Sequence, residues 1–522
     1  MPISRIAALV QKHKQGIFYF TMALLLVIGA SLRFYELGAF SFWDDELFSV
    51  SAVTRSGPWN GPLLPERSMA HLQITDSFWT WKLADPHPPL YEVLLVPWIH
   101  LWGTSEFAVR SLSAVLGIVT MLSVFALPHT ITRPTRIVYM LLLATSGCLI
   151  IYSQDARNYA LSACLTAWMF ARLIKQIETA PHTLAQGRPT VTLLTLGGLL
   201  ALNHYYGLVF VLSVAAFTAV PTLQARSISA LTRVSTRWSL ALLPALAYIA
   251  LGWIGIMTKL NAAPPDALSL AMTFKRNFTA FIRNFSPGHI GMVHFWIALL
   301  LLIACYLAYR KMRKENHPLQ LITGYVLGIS TLFFIVQIIG TRRAEFVHER
   351  YMIFIIPGCL LLTAIFTQTS NWIKNISLFS IPFIAIGGLL VWNASPKPQG
   401  WGEWKGASEA VAKAYQAGDI IIMPISHQPI LQAYFQHYLK EHIPLSELEK
   451  NTWDAFDIAP LVNHLKQTTD QKQHLIFFSH SAFEPQMKAA LSTLQADIGC
   501  TSKETRSYGT LRVTEISCKE SQ

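Results

Sequence analysis

Charge is scarce in this sequence. Asp, Glu, Lys and Arg make up only 13% of its 522 residues, while 52% are hydrophobic. With a mean hydropathy of +0.38, this excludes an ordinary soluble protein, in which about a quarter of residues are charged. The alternation and turn signals of an outer-membrane barrel are missing, as are internal repeats and low-complexity tracts. No small-residue cleavage site follows the first apolar run, which therefore reads as a retained helix and not a signal peptide. Cysteine is sparse. Of the six, Cys148, Cys164, Cys305 and Cys359 lie in apolar runs and read as packing residues. Cys500 and Cys518 lie in a polar tail, where a bridge depends on the tail meeting an oxidising compartment.

What the chain has is apolar sequence, in runs that approach or exceed the roughly 18–20 residues that cross a bilayer. It reads as a polytopic α-helical membrane protein. The net charge of +12 does not call for nucleic acid, because basic residues of membrane proteins gather in cytoplasmic loops. Hydropathy gives eleven spans, at 17–35, 107–127, 136–152, 159–175, 190–203, 206–221, 238–257, 293–309, 318–340, 351–369 and 377–393. The run opening at His87-Pro88-Pro89-Leu90-Tyr91 and ending at Trp102 is short and interrupted by Glu92, Pro97 and His100. Read as an interfacial helix, it leaves the basic loops inside, including Arg310-Lys311-Met312-Arg313-Lys314. The tail from 394 is then outside. It alternates helix-like stretches (406–416, 429–440, 485–495) with β-like runs (419–423, 474–478), the pattern of a small α/β domain. The expected division is a transmembrane domain, 1–393, and an extracytoplasmic domain, 394–522.

Four polar features fall on the outer side of this topology. They are Asp44-Asp45-Glu46, the stretch Ser153 to Tyr159, His204-Tyr205-Tyr206, and the stretch Thr341 to Arg350. The last breaks the positive-inside pattern by holding Arg342, Arg343 and Arg350 outside. The plain alternative is pairing of these arginines with Glu345 and Glu349. The functional reading is an anion site, since arginine offers a fork to phosphate oxygens. A carboxylate can accept the proton of an attacking hydroxyl, and arginines can stabilise a departing phosphate. Taken singly, His87 and His204 read as interfacial structural histidines, and Asp155 as a helix-end acid.

The order and spacing of these residues resemble the GT-C membrane glycosyltransferases, within them the bacterial branch of the protein O-mannosyltransferase superfamily, which includes the aminoarabinose transferase acting on lipid A. The matching residues are Asp45-Glu46, His87 to Tyr91, Gly103-Thr104-Ser105-Glu106-Phe107 with Arg110, Ser153 to Leu161, His204 to Gly207, and Arg350-Tyr351. The resemblance covers about residues 17–370. It implies a polyprenyl-phosphate-linked sugar donor and an acid of the first outer loop, here Asp45, as general base. Asp155 matches a second acidic position that many bacterial members fill with Glu. Some enzymes of this class use a divalent metal and others do not, and nothing here has unambiguous ligand spacing.

The reading is an inner-membrane glycosyltransferase acting on the outer face. Asp45, Glu46 and Asp155 form the catalytic set, and Arg342, Arg343 and Arg350 are the donor-phosphate candidates. Asp44, His87, His204 and Tyr205 are further site candidates. The acceptor is a protein, a glycolipid or an envelope polymer. The rival readings are a transporter or flippase of lipid-linked sugars, which calls for charge or broken helices at mid-bilayer, and a non-catalytic assembly subunit acting through its tail.

Overall fold

The computed structural model describes residues 3–54, 78–84, 87–253, 268–285, 306–315, 317, 319–342, 347–369, 372–394, 403–423, 438–439, 442–455, 457–467, 473–480, 484–508 and 511–518. The chain divides into two compact units. One comprises Met1–Leu37, Pro86–Gly103 and Ala108–Ser395; the other comprises Gly38–Asp85, Thr104–Phe107 and Pro396–Gln522. The second unit thus takes in the segment Gly38–Asp85 in addition to the tail.

The first unit is helical. Among the described residues, six helices are long and apolar enough to cross a membrane: Gln15–Phe34, Glu106–Ala126, Tyr205–Gln224, Ile228–Leu251, Gln320–Gly340 and Ser377–Ala394. A seventh candidate is a pair, Arg133–Thr145 and Gly147–Ser153, bent by 54°. These coincide with seven of the eleven expected spans. Three further expected spans are helices that fall short of the length or composition needed to cross alone. Tyr159–Thr179 carries Arg172, Lys175 and Glu178 and is buried along most of its length within the protein. Val191–Ala201 and Ile356–Phe366 have 11 residues each. Most of the expected span 293–309 lies outside the described residues, as does Cys305. The interfacial reading of the His87 motif agrees with its helix, Leu90–Trp102. Its 13 residues extend roughly 20 Å at 1.5 Å per residue, short of a bilayer core.

The bent pair has an identifiable closure. A helix end leaves carbonyls without intrahelical partners. At the break, Arg33 is fully buried. Its Nη2 donates to Leu143 O at 3.0 Å, and its Nη1 to Gly29 O at 2.9 Å. On the other side the backbones approach so closely that a Cβ on Gly388 would meet Thr145 O and would lie 2.9 Å from Gly147 N. Gln154, just past the second half, donates to Leu32 O at 3.1 Å and Tyr35 O at 2.9 Å, and accepts from Trp392 Nε1 at 3.0 Å. The short helix Gly147–Ser153 is therefore pinned at both ends.

The sheet of the second unit runs β1 (Ile420–Met423), β2 (Thr452–Asp454), β3 (Gln473–His480), β4 (Thr501–Tyr508) and β5 (Leu511–Cys518), in spatial order β2-β1-β3-β5-β4. The first three are parallel, and β5 and β4 are antiparallel. Helices Trp404–Ala414, Ala459–Gln467 and Glu484–Ile498 accompany it. Ile420, Ile422, Leu461, Leu475, Phe477, Met487, Leu494 and Ile516 build one core. The strands expected near 419–423 and 474–478 are present, while most of 429–440 lies outside the described residues. The edge strand β4 is exposed and carries Lys503, Glu504 and Arg506, charges that blunt a free sheet edge against pairing.

Cys500, immediately before β4, and Cys518, the last residue of β5, form a disulfide at a sequence separation of 18. Closing a loop of that length contributes roughly 3 kcal/mol on the chain-entropy account. Reduction is therefore expected to lower the unfolding temperature of the sheet domain and shift its electrophoretic mobility. Alkylation of both thiols in unreduced, freshly isolated protein is the contrary result.

Candidate active site

Several of the sequence features converge within the first unit. The bend Gln154–Asn158 sits between the helices Gly147–Ser153 and Tyr159–Thr179, and it carries Asp155, which is 7% exposed. A reciprocal amide pair locks this bend to the turn at 203. Asn158 Nδ2 donates to Asn203 O and Asn203 Nδ2 to Asn158 O, both at 2.8 Å, and Asn203 also donates to Ser162 Oγ at 2.9 Å. Both amides are buried, where a donor left without an acceptor would cost its full desolvation.

His204 caps the helix Tyr205–Gln224, its Nδ1 accepting from Tyr206 N–H at 3.1 Å. That bond leaves the ring proton of the neutral form on Nε2. Its ring lies 5.6 Å from Tyr206, 6.0 Å from Tyr159 and 5.4 Å from Phe354, centroid to centroid. Tyr206 in turn lies 4.9 Å from Tyr351. The guanidinium carbon of Arg350 sits 5.6 Å from the Tyr159 ring centroid and 5.8 Å from that of Tyr351. Cation–π contacts of this kind are worth about 0.5–2 kcal/mol, and here they hold one arginine in a fixed place. The His87 motif joins the same turn, with Leu90 N–H donating to Leu202 O at 3.1 Å and Tyr248 Oη to His87 O at 3.0 Å. Tyr205 is half-buried at the start of its helix.

Arg342 and Arg350 differ in their contacts. Arg342 forms a backbone clamp, its Nε donating to Leu268 O at 3.1 Å and its carbonyl accepting from Leu268 N–H at 2.8 Å. Arg350 packs against the rings of Tyr159 and Tyr351. Arg343 lies outside the described residues. A further cation enters from the helix Leu270–Arg283: Arg283 Nη1 meets Glu349 Oε1 at 2.8 Å. Neither Arg33, Arg283 nor the Asn158–Asn203 pair was singled out in the sequence. Arg33 had a visible signal, a lone charge at the end of an apolar run.

In the second unit, the acidic triplet opens a helix, Asp44–Thr54. Asp45 is half-buried in its first turn. Glu46 is fully buried and accepts from Trp43 N–H at 3.2 Å. That is the backward half of a capping box, in which an acid at the third helical position satisfies an otherwise orphaned N–H. Glu46 thus fixes the helix start, and Asp45 follows from that start. Asp44 is the first residue of the helix. Among the described residues, no group of three or more His, Cys, Asp or Glu comes together that could hold a metal ion.

The arrangement is that of a polytopic α-helical membrane protein with a small C-terminal α/β domain. The fold is shared with ArnT from Cupriavidus metallidurans. In the structure bound to undecaprenyl phosphate, the TM-score is 0.51 at 11% identity, over 94% of this chain and 97% of that one. In the apo structure the TM-score is 0.54 at 10% identity, over 96% and 98%. No protein-family model and no curated protein sequence matches the chain.

Proposed function

We propose that this chain transfers a sugar from a polyprenyl-phosphate-linked donor to an acceptor hydroxyl on the extracytoplasmic side of the bacterial inner membrane. The observation that carries the reading is Arg350. A guanidinium held against the rings of Tyr159 and Tyr351, the first of which directly follows the locked Asn158, is a preorganised receptor for a lipid phosphate, in a fold also taken by ArnT bound to undecaprenyl phosphate. In this reading the Asp45 carboxylate takes the proton of the acceptor hydroxyl. The oxygen attacks the anomeric carbon, the bond to the phosphate oxygen breaks, and polyprenyl phosphate leaves with the electron pair. A single displacement inverts the anomeric centre. Arg350 stabilises the leaving phosphate, and Asp155 orients the acceptor or the base.

A broken span and a buried charge are also features of transporters. Here, however, Arg33 sits in the last turn of the first helix, and its guanidinium bonds the Leu143 and Ala144 carbonyls at the break. That is a structural use.

Two measurements test the proposal. Purified protein is incubated with undecaprenyl-phosphate-linked hexoses and pentoses, and release of undecaprenyl phosphate is followed. Envelope glycans of a deletion strain are compared with the parent by mass spectrometry. One lost sugar decoration, matching one productive donor, is the expected result. An unchanged envelope and no turnover of any donor would overturn it. The orientation has its own check. Exposed Lys314 and Gln416, each replaced by Cys, should react with a membrane-impermeant maleimide from opposite sides. Reaction of both from one side would end the assigned topology.

A further inference from the structure

The tail was expected as a separate soluble domain without an assigned role. Within the second unit it instead grips the loop that carries Asp45. The main-chain N–H of Lys405 donates to Ser41 Oγ at 3.0 Å. The hydroxyl of Tyr438 accepts from Phe42 N–H at 2.7 Å. Lys405 Nζ also meets Glu106 Oε2 at 3.6 Å, and the Glu106 side chain is only 6% exposed. On the loop, Phe42 is 2% exposed, so it is anchored as well as bonded. A Cβ on Gly38 would lie 3.0 Å from Phe107 Cβ, which ties the start of the loop to the same short segment that holds Glu106.

These contacts fall immediately before the helix Asp44–Thr54. The N–H groups of Phe42 and Trp43 are both occupied, the first by Tyr438 and the second by Glu46. The direction in which the first helical turn leaves the loop is set by these two bonds, and Asp45 sits in that turn. One bond is local. The other comes from a residue 396 positions along the chain.

We propose that Tyr438 and Lys405 are positioning residues for Asp45, and that the C-terminal domain belongs to the catalytic apparatus by holding the loop of the general base. This rests on the reading of Asp45 as that base. The chemistry gives it weight. A base must lie within hydrogen-bond reach of the proton it abstracts, and a misplacement of about 1 Å costs on the order of 10²-fold in rate.

The test uses the full chain in detergent or nanodiscs with Tyr438→Phe, which removes only the acceptor oxygen, and Ser41→Ala, which leaves the C-terminal domain untouched. Hydrogen–deuterium exchange is read over residues 41–50 and, as a control, over β1, β3 and β5. Steady-state rates are read with the undecaprenyl-phosphate sugar that the donor panel identifies. Exchange at 41–50 is expected to rise about tenfold in each variant, as loss of one hydrogen bond allows, with the sheet unchanged. The kcat is expected to fall about 10- to 100-fold with donor KM unchanged. Unchanged exchange at 41–50 overturns the proposal. So does an equal rise throughout the sheet, or a fall in kcat/KM carried by donor KM alone. If the parent turns over no donor at all, the transferase reading fails, and the exchange data still decide whether the tail holds the loop.

Discussion

Replacing Asp45 by Asn is expected to leave the protein folded and inserted while removing most transfer activity. The two side chains are nearly isosteric, so the first turn of the helix Asp44–Thr54 should persist. An amide cannot accept a proton at neutral pH, however, and general base catalysis typically contributes about 10²–10⁴-fold. The measurement is single-turnover sugar transfer by purified protein, beside an unfolding curve that shows an unchanged midpoint. The neighbours supply the contrast. Asp44→Asn should be milder, because Asp44 is not the assigned base. Glu46→Gln should also be mild, because its amide oxygen can still accept the Trp43 N–H that Glu46 binds now. Glu46→Ala should loosen the helix start, lowering activity and raising exchange together. Transfer at the parent rate by Asp45→Asn would remove it as the base, and Asp155 would be the next residue to test.

The second large effect is expected at Arg350. Removing a charged group that binds a phosphate costs about 1.5–3 kcal/mol, roughly 10- to 150-fold in donor affinity or kcat/KM. Arg350→Ala should show that loss, with weaker retention of undecaprenyl phosphate. Arg350→Lys should recover only part of it, since an ammonium lacks the planar fork and stacks less well between Tyr159 and Tyr351. Arg342→Ala should behave differently. Its Nε bonds a backbone carbonyl, so its loss should lower stability more than donor affinity. Equal donor affinity in Arg350→Ala and the parent, measured by equilibrium binding of undecaprenyl phosphate, would remove Arg350 from the phosphate site.

By itself the sequence determined the class of protein, because apolar run length and polar run ends are local properties set by transfer from water to lipid. It placed the helix breaks at 153–159 and 203–206, where polar residues interrupt the runs, and it located two strands of the tail from their apolar runs. It left the pairing of Cys500 with Cys518 open, since pairing needs the two backbones side by side, and only β4 against β5 supplies that. Hydropathy could not distinguish lipid from protein as the apolar surroundings of a helix such as Tyr159–Thr179, which is buried along most of its length. The tertiary structure alone decided which turns meet. Asn158 finds Asn203 across 45 residues, Arg33 finds Leu143 across 110, and Phe42 finds Tyr438 across 396. No composition or period of 2 or 3.6 encodes such partners. They arise when packing buries polar groups that must then be satisfied by whatever the fold brings beside them.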